Sequence, residues 1–378
     1  MSSAAHVLTE VRGSAGLITL NRPGALNALS LPMIRAITQA LRAWRDDGHI
    51  QVVAFRGTSK DANSASGSRP FGAFCAGGDI RFFHQEVLAA NPELEDFFTE
   101  EYQLNHLIHT YPKPTVAFMD GIVMGGGMGI SQGCRIRLVT ENTKMAMPET
   151  QIGLFPDVAG GYFLSRCPGS VGEWLGLTGE TISPQDAVAS GLADSVVQSQ
   201  AMGPLWDQLG SKKGDSPDFL KNEIAIFSVA GYACPPDLRA TIDHFFSLNC
   251  VSDMVQALEA DASAWAQQTA AQLRQKSPLM LHVTLEQIRR ARKRTLAQEL
   301  QMERGMMRHC FNPLHLGKSP AQSEVVEGIR AQVIDKDRQP RWSPARIEDV
   351  TPEMIEPFFQ SPWSAEAHPL RDLGVAGG

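Results

Sequence analysis

The sequence predicts an α/β core followed by a mainly helical region. Three patterns carry that expectation. Short apolar strands alternate with amphipathic helices over residues 1–200. Glycine-rich turns at Gly77-Gly78 and Gly125-Gly126-Gly127 lead from strands into helices. After about Val197 the apolar spacing becomes helical. Alternation of this kind favours a largely parallel sheet with right-handed crossovers.

The elements follow in order. Gly16 to Leu20 is a short strand that stops at the turn Asn21-Arg22-Pro23-Gly24. Ser30 then caps a helix running through Leu41 and Trp44, with Pro32 tolerated in its first turn. Val52 to Gly57 is apolar enough for a strand buried on both faces. Lys60 to Arg69, rich in Ser, Ala and Asn, reads as a mobile surface loop. Phe74 to Ile80 is a turn entering a helix, and a further helix runs from Phe97 to Tyr111. Thr115 to Phe118 is another buried strand, and the triple glycine opens a helix through Ile130. Residues 1–200 form the core, and residues 201–378 a helical region with an irregular tail. In that region Asp261 to Gln275, Pro278 to Arg294 and Leu296 to His309 read as successive helices. Five prolines from Pro344 to Pro369 mark the wrapping tail.

A chain of 378 residues buries a large core. Its 43% apolar and 20% charged residues are ordinary for a soluble globular protein. The formal charge of −7 argues against binding nucleic acid or anionic lipid, since both need basic surface. The run Arg289 to Arg294 reads as a solvated helix face. Six scattered cysteines without a C-x-x-C pair fit reduced thiols. With no leader pattern and no long apolar run, the expectation is a cytoplasmic protein with no membrane partner.

The chemistry concentrates between Pro112 and Pro168. Glu149 and Asp157 stand in apolar surroundings with no Lys or Arg between them. A buried carboxylate costs several kcal/mol unless something compensates it. The turns Ala76-Gly77-Gly78-Asp79 and Met124-Gly125-Gly126-Gly127 each feed a helix, whose first N–H groups lack internal acceptors. Two converging N–H donors make an oxyanion hole; close helix–strand packing is the alternative use of such glycines. Neither turn matches a nucleotide-phosphate motif. No cluster has metal-ligand spacing, so neither a metal nor a cofactor is expected.

Ala25 to Leu29, Phe74 to Ile80, and Asp120-Gly121 to Gly127 in that order resemble the crotonase (enoyl-CoA hydratase/isomerase) superfamily. The resemblance implies a crotonase-type spiral of ββα units with a C-terminal helical region. It implies that the N–H groups of Gly78 and Gly126 hold an acyl-CoA carbonyl. It also implies that Arg22, Ala25, Leu26 and Ala76 contact CoA. Hydratases of the superfamily carry a glutamate where this chain has Gly129, and their second glutamate matches Glu149. Asp157 falls where hydratases usually have glycine. Met147 to Thr150 with Leu154 to Asp157 is similar to the 3-hydroxyisobutyryl-CoA hydrolase family. So are Gly160 to Leu164, Glu327 to Ala331 and Ile334 to Asp337.

That resemblance implies hydrolysis of a short 3-hydroxyacyl-CoA thioester in valine catabolism, by Glu149 and Asp157, with Glu101 contacting the acyl end. Each acid also has a plainer use. Asp157 has the character of a cap for the next helix, and Glu149 that of an ion-pair member. Glu100 and Glu101 flank the apolar stripe Phe97, Leu104, Ile108 on opposite sides, so periodicity does not choose between them. Lys113, His84, His106 and His109 read as structural or surface residues. The alternatives are an enoyl-CoA hydratase or isomerase, which Gly129 opposes, and a non-catalytic acyl-CoA- or RNA-binding member. The resemblance admits a homo-oligomer, since trimers and pairs of trimers recur in the superfamily, although appended helices could cover that surface.

Overall fold

The computed structural model describes residues 5–59, 71–211 and 236–374. Strand β1 (Val7–Arg12), absent from the sequence reading, pairs antiparallel with β2 (Ala15–Leu20). β2 is buried at every residue, whereas β1 is half-buried or exposed throughout. β1 is thus the sheet edge, and its polar residues hid it. β3 (Val52–Gly57), β4 (Thr115–Met119), β6 (Ile136–Val139) and β8 (Ser195–Val196) extend the sheet in parallel, in the order β1-β2-β3-β4-β6-β8. β5 (Ile122–Met124) and β7 (Lys144–Ala146) pair in parallel as a second, two-stranded sheet. The chain therefore leaves β4 for β5, turns through helix α4 (Gly126–Gln132), returns to β6 and leaves again for β7.

Between β2 and β3, helix α1 (Leu31–Arg45) buries Leu31, Ile34, Ile37, Leu41 and Trp44, one stripe at helical spacing. Ser30 stands at its N-cap and Pro32 in its first turn as expected, but the Ser30 hydroxyl makes no cap hydrogen bond. Leu17, Ala54, Val116 and Leu138 from the large sheet pack with Met202, Leu205 and Trp206 of the helix Ser199–Gln208. The loop expected over Lys60 to Arg69 lies outside the described residues.

The chain forms two compact units, each built from separated segments. One comprises residues 1–78, 104–146 and 181–234 and holds both sheets; the other comprises 79–103, 147–180 and 235–378. The second unit contains the three expected helices, at Ala264–Leu273, Pro278–Ala291 and Leu296–Phe311. Thr295 and Gln298 close the last of them with a reciprocal capping box. Phe83, Phe97, Phe98 and Phe311 stack in tilted and edge-on contacts, tying α2 (Ile80–Ala89) and the start of α3 (Glu93–His109) to that helix. The tail is irregular, with short helical turns that bury Ile347, Phe358 and Leu370. The charged residues of the basic run are half-buried or exposed, as a solvated helix face requires, and three of them also find partners. Arg289 donates to the carbonyls of Leu248 and Asn249, Arg290 bridges Glu286 and Glu356, and Arg292 pairs with buried Glu173. Among the described residues no helix is long and apolar enough to cross a membrane.

Candidate active site

In the sheet unit, the segment Phe74-Cys75 runs beside β5. Cys75 donates its N–H to the Ile122 carbonyl at 3.0 Å and accepts from the Met124 N–H at 3.0 Å. This pairing brings one glycine turn against the other: an ideal Cβ at Gly77 would stand 3.6 Å from the Gly126 nitrogen. Gly77 at φ +108° and Gly125 at φ +47° occupy backbone conformations that side chains disfavour. Gly126 opens α4, so its N–H has no acceptor within that helix. Among the described residues no backbone hydrogen bond uses the N–H of Gly78 or Gly126. Gly129, on the same buried helix, offers no side chain for acid–base work.

The segment expected to contact CoA lies in the same unit. Pro23–Ala25 form a 3₁₀ turn, followed by Leu26 and Asn27 in left-handed backbone at φ +51° and +57°. Buried Asn27 fixes it, accepting from the Arg22 N–H at 2.8 Å and donating to the carbonyls of Thr58 at 3.1 Å and Ala73 at 2.7 Å. The Arg22 guanidinium donates to the Ala28 carbonyl at 3.2 Å, and the Ala76 N–H donates to the Leu26 carbonyl at 3.1 Å. Leu26 is exposed.

The second unit collects the acids. Glu101 is 2% exposed, Glu149 7% and Asp157 7%. Glu101 is thus not a surface glutamate, and tertiary structure makes the choice periodicity left open, since Glu100 is only half-buried. α3 starts at Glu93, a turn before the expected Phe97. Neither plainer use of the two site acids holds. Among the described residues Glu149 has no cationic partner, and its Oε2 is buried without a hydrogen bond. The Asp157 side chain caps no helix. The next helix, α5 (Gly160–Leu164), begins after Ala159, and the Asp157 carboxylate instead accepts from the Tyr102 hydroxyl at 2.8 Å.

Two packed turns present these acids. Glu149 opens the 3₁₀ turn Glu149–Ile152. The Thr150 hydroxyl donates to the Leu177 carbonyl at 3.1 Å, and the Thr150 carbonyl accepts from the Ser277 N–H at 3.0 Å. Gly328 lies so close that a Cβ there would come within 2.4 Å of the Ile152 backbone. This accounts for a glycine in Glu327-Gly328-Ile329. Asp157 sits in the next turn, whose N–H groups at Ala159 and Gly161 donate to Glu303 at 2.7 and 3.1 Å. Tyr102 and Glu303 escape a sequence reading because neither lies in a polar motif. Both stand on helical stripes that read as ordinary amphipathic helix.

Burial dominates the electrostatics. It raises the Glu149 carboxyl well above the ordinary range, and Asp157 raises it further. Glu101 is raised by burial and then by Asp157 and Glu149. The Asp157 carboxyl is pushed up to about 7 by burial, against the Tyr102 hydrogen bond, which favours its charged form. Burial thus disfavours charge on all three acids, and a reaction that needs the Asp157 carboxylate loses rate as pH falls through about 7. We expect kcat/KM to show this acid limb. Tyr102→Phe removes the phenol that stabilises ionised Asp157, so the limb should move to higher pH. An unshifted limb in a folded Tyr102→Phe variant would show that this hydrogen bond does not set the ionisation.

A profile of the enoyl-CoA hydratase/isomerase family matches residues 15–359. The chain is 38% identical over 370 residues to a mitochondrial 3-hydroxyisobutyryl-CoA hydrolase of Danio rerio, covering 96% of this chain and 91% of the relative. It is 36% identical over 373 residues to 3-hydroxyisobutyryl-CoA hydrolase 1 of Arabidopsis thaliana, covering 95% and 93%. Among solved structures it resembles a carnitinyl-CoA dehydratase from Mycobacterium thermoresistibile, with TM-score 0.83, 35% identity and 94% and 97% coverage. An enoyl-CoA hydratase from Rhodobacter sphaeroides follows at TM-score 0.80, 34% identity and 95% and 98% coverage. Near-complete coverage at this identity includes the appended helical region as well as the sheets. The chain belongs to the crotonase (enoyl-CoA hydratase/isomerase) family, and within it to the 3-hydroxyisobutyryl-CoA hydrolase branch.

Proposed function

We propose that this chain hydrolyses 3-hydroxyisobutyryl-CoA to 3-hydroxyisobutyrate and CoA, a step of valine catabolism. The observation that supports it most is the buried group Glu101, Glu149 and Asp157, without a cationic partner among the described residues, on a chain whose α4 carries Gly129. The thioester oxygen accepts hydrogen bonds from the N–H groups of Gly78 and Gly126, which hold the negative charge that develops on it. Glu149 attacks the carbonyl carbon or draws a proton from the attacking water. The carbon–sulfur bond breaks, and Asp157 delivers or relays the proton that leaves CoA as a thiol. If an acyl–Glu149 anhydride forms, water hydrolyses it. Glu101 orients the 3-hydroxyl, and Arg22, Ala25, Leu26 and Ala76 contact CoA.

One observation favours exchanged roles for the two acids. The Tyr102 hydroxyl stabilises the charge on Asp157, whereas Glu149 lacks such a donor at Oε2. In the free protein Asp157 is therefore the acid better disposed to carry charge. Arming Glu149 then requires it to give up its proton once substrate is bound. Label on Glu149 after single turnover in ¹⁸O-labelled water would show an anhydride opened at the glutamyl carbonyl, and borohydride trapping of Glu149 during turnover tests for an anhydride opened at the acyl carbonyl.

The proposal extends to a cytoplasmic, homo-oligomeric enzyme with no metal and no cofactor beyond the CoA of its substrate, binding neither nucleic acid nor membrane. The test is a panel of CoA thioesters assayed for thiol release, with crotonyl-CoA as the hydratase control. Thiol release from 3-hydroxyisobutyryl-CoA without loss of the crotonyl-CoA enoyl absorbance is the expected result. Rapid hydration of crotonyl-CoA would overturn it in favour of a hydratase, because Gly129 removes one of the two acids that hydration uses.

A further inference from the structure

The turn that carries Asp157 does not hold its own shape. Val158 at φ +55° and Ala159 at φ +69° both lie in left-handed backbone. For a β-branched residue that conformation is a steric outlier, and it persists only where the surroundings impose it. Two buried side chains do so. Gln287, on the helix Pro278–Ala291, donates its Nε2 to the Pro156 carbonyl at 2.7 Å. Glu303, on the helix Leu296–Phe311, accepts from the Ala159 N–H at 2.7 Å through Oε2 and from the Gly161 N–H at 3.1 Å through Oε1. Gln287 Nε2 also donates to Glu303 Oε1 at 3.0 Å, so one amide joins both ends of the grip. Both side chains are fully buried.

All three contacts to the Glu303 carboxyl come from N–H donors, the pattern that suits a carboxylate. Burial, and then the neighbouring acids Glu299 and Asp157, raise its carboxyl well above the ordinary range, and the two backbone N–H groups offset this only in part. Glu299, one helical turn earlier, is buried without a hydrogen bond. Its carboxyl is pushed up to about 8, chiefly by burial, against the pull of Arg294 and Arg166.

We propose that Glu303, braced by Gln287, is a positioning residue that clamps the strained turn Pro156 to Gly161 and so holds Asp157 in its working place. The inference rests on the reading of Asp157 as one of the two reacting acids. Glu303 itself touches no substrate in this account. It acts only through the backbone of the turn, and small displacements of a reacting group are enough to cost rate.

The test uses the full-length enzyme and 3-hydroxyisobutyryl-CoA. Glu303→Gln keeps the size of the side chain but offers one acceptor oxygen where two N–H groups need one each. The expected result is a kcat lowered about 10- to 100-fold with KM within about threefold, as for a misplaced group. The acid limb of the pH profile should shift, and amide exchange across residues 157–164 should speed up. Combined with Asp157→Asn, the same change should add no more than about twofold, because residues acting through one another are not additive. Gln287→Leu, which leaves the Glu303 side chain in place, should shift the same quantities in the same direction by less. A folded Glu303→Gln with wild-type kcat and pH profile, beside an inactive Asp157→Asn, overturns the clamp alone. Fully multiplicative effects in the double variant overturn it as well. If Glu303→Gln does not fold, an unchanged kcat and profile in Gln287→Leu overturns it. A fully active Asp157→Asn overturns the catalytic reading of Asp157 and the clamp with it.

Discussion

Glu149→Gln is expected to lower turnover of the thioester by about 10²-fold or more while CoA binding stays within a few fold, the usual scale for losing an acid–base group or nucleophile. At 1.36 kcal/mol per tenfold, this corresponds to about 2.7 kcal/mol or more of barrier. The amide neither ionises nor attacks a carbonyl, yet it matches the carboxyl in size. Stability should not fall with activity. Among the described residues Glu149 has no cationic partner to leave behind, and burial already disfavours its charge. The melting temperature of the variant should therefore equal or exceed that of the wild type. A structural ion-pair member would behave in the opposite way, losing stability at full activity. Thiol-release kinetics, calorimetric titration with CoA and a melting curve on the same preparation decide between the two.

Gly126→Val is expected to give a folded protein whose kcat falls about 10²-fold or more, the scale of losing one oxyanion donor. The N–H is kept, but a branched Cβ would stand where the thioester oxygen must approach it. CoA, which lacks the acyl carbonyl, should still bind. The neighbouring glycine provides the contrast. A Cβ at Gly127 would meet the Cys75 carbonyl oxygen at 2.3 Å, so Gly127→Ala should lose stability through packing. If Gly126→Val folds and turns over normally, the triple glycine serves packing alone and the oxyanion assignment is withdrawn. Circular dichroism and a melting curve on both variants separate lost folding from lost chemistry.

The two site acids were legible because their surroundings are so apolar. An acid in Pro-Glu-Thr or Phe-Pro-Asp, with no Lys or Arg nearby, has few plain uses. The glycine turns were legible for a related reason, since a run of glycine at a strand–helix junction is costly unless the backbone is needed there. Strands β2, β3 and β4 showed themselves through continuous apolar runs, as strands buried on both faces do. β1 did not, because an edge strand is half solvated and its residues alternate too weakly to stand out from loop.

What the sequence by itself determined is therefore the family and the α/β core with its helical extension, together with the candidate acids and glycines of the proposed site. Which of Glu100 and Glu101 is buried, and what the other groups do around Asp157, only the tertiary structure decided. Tyr102 lies 55 positions from Asp157, and Glu303 lies 144 positions from Ala159, so no local pattern links them. The same holds for the basic run Arg289 to Arg294, whose partners Glu173 and Glu356 lie far away in the chain. Local spacing reports the face a residue occupies on its own helix or strand. The partner that reaches that face, and with it the charge a buried carboxyl carries, comes from a distant segment and depends on packing at ångström scale.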